Sequence, residues 1–206
     1  MGKEELINLA ETLADNKFML GDVLVKVGIS GPNLESSLAS IAMAQAELGH
    51  ARLMYRWIDE LKGSKHPKSD VTSQTGKAFP SLVKTPNWIC MIANLYIINV
   101  ACDLVTKAIL DANHPEIHPP FAKMLKEQEE HIMYAESWCS QLLKDRGQIP
   151  AVTEKALELA TSDVRAWILQ VAANKDLQKS GYLLENSNIV SAFNKRTFLS
   201  SVITNG

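Results

Sequence analysis

Apolar residues recur along this chain at three-to-four spacing, in stretches long enough to be the helices of a bundle. Leu6, Ala10, Leu13, Leu20, Leu24 and Val27 predict a first helix over residues 4–28, closed by Gly28 with Gly31-Pro32 behind it. A second is expected from Leu34 to Leu61, with Asn33 placed to cap it and Glu35 and Ser36 in its first turn. Residues 62–86 hold Gly63, Pro67, Gly76, Pro80 and Pro86 and read as a long irregular connection whose second half, with Phe79, Leu82 and Val83, packs back on the body. A third helix, from Asn87 to Ala112, is apolar on nearly every side and belongs at the centre of the bundle or at a subunit contact. After a turn marked by Asn113-His114-Pro115 and Pro119-Pro120, a fourth runs from Phe121 to Lys144 and stops at Gly147, with Pro150 beyond. Thr153 to Asn174 reads as a fifth. Gly181 breaks the chain again, and a short amphipathic piece from Ile189 to Val202 closes it. No stretch alternates as a strand would, so the class is all-α, built from two successive helical hairpins.

Composition narrows the picture. With 206 residues, 46% of them hydrophobic, the chain can bury one sizeable core, and a single domain over 1–206 is expected. The formal net charge of -2, from 21 Lys+Arg against 23 Asp+Glu, offers no basic surface for nucleic acid and no strong field toward a membrane. No uninterrupted apolar run reaches the roughly 18 residues of a membrane span, and Met1-Gly2-Lys3-Glu4-Glu5 has no signal-peptide pattern. Cys90, Cys102 and Cys139 lack metal or redox spacing and read as small buried hydrophobes in a reducing compartment, so a cytoplasmic location is expected.

The candidate chemistry sits on the second and fourth helices. Glu47 and His50 are three apart, so they share one helix face and can hold one metal ion between them. In di-iron bundles two helices each supply Glu-x-x-His and two more each supply a Glu, all facing inward. That frame makes the expected fold a ferritin-like four-helix bundle with additional C-terminal helices. The fourth helix offers His131, but Gln128 stands where the matching Glu belongs, and Glu127 lies four residues before the His rather than three. A Gln carbonyl can ligate a hard ion but brings no charge. The remaining carboxylates should come from the first and third helices, where the chain instead has Lys17 beside Phe18, and Asn99 with Asp103 one turn later. Lys17 is the sharpest departure: an ammonium beside Glu47 competes with a cation for the same carboxylate, and such a buried pair can replace a metal electrostatically when both charges are hydrogen-bonded. The metal candidates are therefore Glu47, His50 and His131, present as ligands or as a vestige, with Lys17, Asn99, Asp103, Glu127 and Gln128 lining the site. His131 is alternatively just bonded to Glu127 or Glu47. His114 and His118, in His-Pro-Glu-Ile-His, fail the zinc-protease pattern and read as loop, and His66 reads as a solvated loop residue. Trp57, Trp88, Trp138 and Trp167 read as bundle packing.

Leu13-Ala14-Asp15-Asn16, Leu20-Gly21-Asp22, Gly31-Pro32, Ala42 and Glu47-Leu48-Gly49-His50-Ala51-Arg52, with Lys126-Glu127, His131 and the Asn99 region, resemble the A and C subunits of the multicomponent phenylacetyl-coenzyme A epoxidase, over about residues 8–146. The resemblance implies two alternatives. An A-type subunit carries a di-iron centre and epoxidises the aromatic ring of the thioester with dioxygen and electrons from a reductase. A C-type subunit is a ferritin-like sister without the iron site, which supports the A type. This sequence is similar to the A type at Glu47 and His50 and departs from it at Lys17/Phe18, Asn99 and Gln128, and it looks shorter at its C-terminal end than either type.

The leading expectation is thus a structural sister subunit that assembles as a homodimer, with a catalytic oxygenase subunit, or both, and meets phenylacetyl-coenzyme A only through the complex. The alternatives are a catalytic non-haem iron oxygenase with a reduced site built on Glu47, His50, His131 and Gln128, and a stand-alone bundle with neither metal nor chemistry. The cofactor is none or iron.

Overall fold

The computed structural model describes residues 2–64, 73–117 and 121–197. His66, His118, Pro119-Pro120 and the end of the closing amphipathic piece lie outside these residues. The described chain is all-α, in the order α1 (Gly2–Gly28), α2 (Leu34–Leu61), α3 (Pro80–Val83), α4 (Trp88–Asp111), α5 (Phe121–Leu143), α6 (Ile149–Ala173), α7 (Lys175–Lys179) and α8 (Ile189–Arg196). No strand occurs among the described residues.

The architecture is a ferritin-like bundle formed by two hairpins, α1–α2 and α4–α5, with α6 and α8 added against α4. The α1–α2 turn is set by Asn33, the expected cap, whose side chain accepts from the Ser36 amide at 2.8 Å while its own amide donates back to the Ser36 hydroxyl, a reciprocal cap. Gly21 and Gly28 let α1 lie close on α2. A methyl at Gly21 would stand 2.6 Å from Leu48 Cγ, and one at Gly28 would stand 2.4 Å from Ser40 Cβ. Asn87 caps α4 through the Cys90 amide at 3.0 Å.

Helix α4 is the axis of the molecule. It is long and apolar enough, by length and composition, to cross a membrane, yet α1, α5, α6 and α8 bury it. The all-round apolarity read from the sequence therefore reflects a central position. Among its few buried polar residues are Asn99 and Asp103, whose placement needs partners on other helices. The tryptophans pack as expected: Trp57 edge-on to Phe121, Trp88 edge-on to Trp138, and Trp167 against Phe79 from the long connection.

The elements differ from the sequence reading at one helix start and by two added short helices, beyond shifts of a residue or two at other ends. Helix α6 starts at Ile149 rather than Thr153, because Pro150 occupies its first turn, where a missing N–H costs nothing. The connection after α2 contains α3, and α7 interposes a turn of helix capped by Asn174, which accepts from the Asp176 and Leu177 amides.

Candidate functional site

The four bundle helices each send polar side chains to one buried level. Lys17 comes from α1, Glu47 and His50 from α2, Asn99 and Asp103 from α4, and Gln128 and His131 from α5. All are buried, Lys17, Glu47, Asn99, Asp103 and Gln128 completely. Helical periodicity explains the convergence: 47 and 50, 99 and 103, and 128 and 131 are each one turn apart on a single face.

Glu47 is the hub. Its Oε1 accepts from His131 Nδ1 at 2.7 Å and from Asn99 Nδ2 at 2.9 Å. Its Oε2 faces the Lys17 ammonium at 3.0 Å as an ion pair, without a well-aligned hydrogen bond. Lys17 also donates to Asn99 Oδ1, so one amide orients both members of the pair. Burial pushes the Glu47 carboxyl upward, but the nearby Lys17 charge and the His131 and His50 contacts outweigh it and hold the group well below the usual carboxylate range. Glu47 is therefore a carboxylate with a fixed counter-cation.

The histidines divide. His131 turns inward to Glu47, as one of the sequence alternatives had it. His50 turns its Nε2 outward to Glu127 Oε2 at 2.9 Å, while its Nδ1 stands 3.8 Å from Glu47 Oε2 with no hydrogen bond. The His50 bond, followed by burial acting the other way and the charge of Lys123, leaves the Glu127 carboxyl below its ordinary value. Glu127 is thus the rim of the site, reaching solvent, and Gln128 is the residue of that pair that faces the interior.

On the other side of the same level lies a second buried carboxylate. Asp103 Oδ2 takes Arg196 from α8 at 2.6 Å and Lys107 at 2.9 Å, and its Oδ1 meets Gln128 Nε2 only at 3.5 Å. Cys102, next to it, is buried, and burial pushes its thiol up to about 12. The thiol is inert packing.

These residues do not fit a pair of iron ions. A two-metal centre needs several inward carboxylates to offset its charge. Here Glu47 and Asp103 are the acidic groups at this level, and each already has a cation from the chain itself. Both oxygens of Glu47 are engaged by Lys17, Asn99 and His131. Among the described residues no group of three or more His, Cys, Asp or Glu side chains is arranged to hold a metal ion.

The family described as phenylacetic acid catabolic protein matches residues 1–201. The chain belongs to that family. The match runs through α6 and α8, well past the region in which the resemblance was visible by inspection, and gives this family member a role in phenylacetate catabolism. No curated protein matches the chain.

Two features of this family member were not foreseen. Arg196 reaches Asp103 from 93 residues away, and no local pattern announces it. Asp15, fully buried on α1, accepts from the Tyr55 hydroxyl, from the Thr75 amide at 2.8 Å and from the Lys77 amide at 2.7 Å, while Asn16 takes the Phe79 amide at 3.0 Å. These two residues pin the end of the long connection to α1 beside Lys17. The signal for them was present as adjacent polar residues on an otherwise apolar helix face.

Proposed function

We propose that the chain is a structural, non-catalytic subunit of a phenylacetyl-coenzyme A oxygenase, assembled with an iron-carrying sister of the same fold. The observation that carries this reading is the Lys17 ammonium on Glu47, held there by Asn99. The ferritin-like frame is kept, Glu47, His50 and His131 included, but an internal cation stands against the carboxylate that a metal would use. A buried charge pair with added hydrogen bonds keeps such an interior folded without any ion.

The outer surface supports an assembly role. Helix α2 packs chiefly on α1 and meets α5 only sparingly. Its outward side carries Leu34, 70% exposed, Leu38, 56% exposed, and Ile41, with Ile29 of the α1–α2 turn beside them, 66% exposed. A one-turn-spaced apolar row of this kind fits the face of another helix. The occupant we assign to it is the catalytic sister, and phenylacetyl-coenzyme A reaches the assembly through that partner.

Two measurements test the reading. Elemental analysis after loading with ferrous iron is expected to find no more metal in the wild type than in Glu47→Ala. Iron at one or two per chain, lost in Glu47→Ala, would overturn the structural assignment in favour of an oxygenase site. Co-expression with an iron-carrying family member is expected to yield a complex that Leu38→Asp disrupts while leaving the thermal midpoint of the isolated chain unchanged. A wild-type chain that elutes alone under all such conditions counts against the assembly role.

A further inference from the structure

We propose that the interior is closed by α8, with Arg196 as a latch on Asp103. The inference is independent of whether Glu47 binds metal, since it concerns the other carboxylate. Asp103 is fully buried at the middle of α4, and a lone carboxylate there must find a cation or lose its charge. Lys107 offers one from the same helix, at 2.9 Å, but with its side chain 44% exposed. The shorter bond, 2.6 Å, comes from Arg196 Nη1. It is the polar side-chain link by which α8 reaches into the level that holds Glu47 and Gln128.

The backbone is fastened at the same residue. The Tyr96 hydroxyl, two turns before Asp103 on the same face of α4, donates to the Arg196 carbonyl, so α4 grips Arg196 by both its side chain and its main chain. Phe193 and Ile189 sit buried beneath the rest of α8. An eight-residue helix has little stability of its own. Its place therefore depends on packing against α4 and α6 and on these anchors, of which the ionic one is directional. The opposite face of Asp103 is poorly served: Gln128 is at 3.5 Å, and its own Oε1 is buried without a hydrogen bond. Loss of Arg196 therefore leaves Asp103 and Gln128 short of partners and releases the helix that covers them.

The test is amide hydrogen exchange on the full-length chain, followed by segment. Arg196→Gln is expected to speed exchange of the α8 amides about tenfold or more while α4 and α6 keep their protection. Arg196→Lys should restore part of it. Lys107→Gln should leave α8 as protected as in the wild type, because the Lys107 ion pairs run to Asp103 on α4 and Glu129 on α5. Asp103→Asn should release α8 like Arg196→Gln, and the double variant should be no looser than the looser single variant. Wild-type protection of α8 in Arg196→Gln, additive effects in the double variant, or equal loosening by Lys107→Gln would each overturn the latch. Should Arg196→Gln fold poorly, Asp103→Asn carries the same reading.

Discussion

Replacing Lys17 by Met keeps most of its apolar stem and removes only the ammonium. Glu47 is then left fully buried with Asn99 and His131 but without its counter-charge. Breaking a buried pair from one side costs about 3–5 kcal/mol. Glu47 can escape by taking a proton, which sets a ceiling: at pH 7, about 2.7 pH units above an ordinary Glu value near 4.3, that costs about 3.7 kcal/mol. The expected loss is therefore about 3–4 kcal/mol, which at an m-value of about 3 kcal/mol/M lowers the urea midpoint by about 1 M. Equilibrium urea unfolding followed by circular dichroism reads it directly. The loss should shrink as the pH is lowered toward 5, where the proton is cheaper, and a simple packing defect has no such dependence. Lys17→Met combined with Glu47→Gln, which leaves neither charge behind, should recover most of the stability. A midpoint within about 0.3 M of wild type for Lys17→Met, or a loss equal at pH 7 and pH 5, would refute the view of Lys17 as the charge that holds Glu47.

Further outcomes follow from the same geometry. Because the Glu47 carboxyl is held below its usual range in the folded chain, its contribution to stability is complete above about pH 4.3, declines as the pH falls below that, and is gone once the pH has passed the lowered folded value. Acid titration of stability should show this decline in wild type and a shallower one in the Lys17→Met/Glu47→Gln double variant. Thiol labelling of the native protein should modify Cys90, which is only partly buried, and leave Cys102 and Cys139, both buried with thiols pushed up to about 12, until the chain unfolds. Rapid labelling of Cys102 in the native state would contradict the closed interior. Asp15→Ala should free the segment around Thr75 and Lys77 and produce a new cut there in limited proteolysis, with α1 and α2 intact. An unchanged digestion pattern would mean that the Asn16–Phe79 bond and the Lys77 contacts to Asn8 and Glu11 hold the segment without Asp15.

Local sequence was enough for most of the helices, because each carries its own period, caps and breakers. Asn33 and Asn87 mark the starts of α2 and α4, and the apolar stripes fix which face turns inward. Once a bundle is granted, the same periodicity brings Glu47 with His50 and Gln128 with His131 to one level. Lys17 and Asn99 join that level against Glu47. Pairing was decided only by the tertiary structure. Whether His131 would meet Glu47 or Glu127 depends on the rotation of α5 about its own axis, which side-chain spacing within one helix cannot express. That rotation gave Glu47 to His131 and Glu127 to His50. The Asp103–Arg196 contact lies further beyond local reach: an ion pair between residues 93 apart is set by where α8 docks, and that docking follows from burying Ile189 and Phe193 on the flank of α4 rather than from any pattern around the arginine.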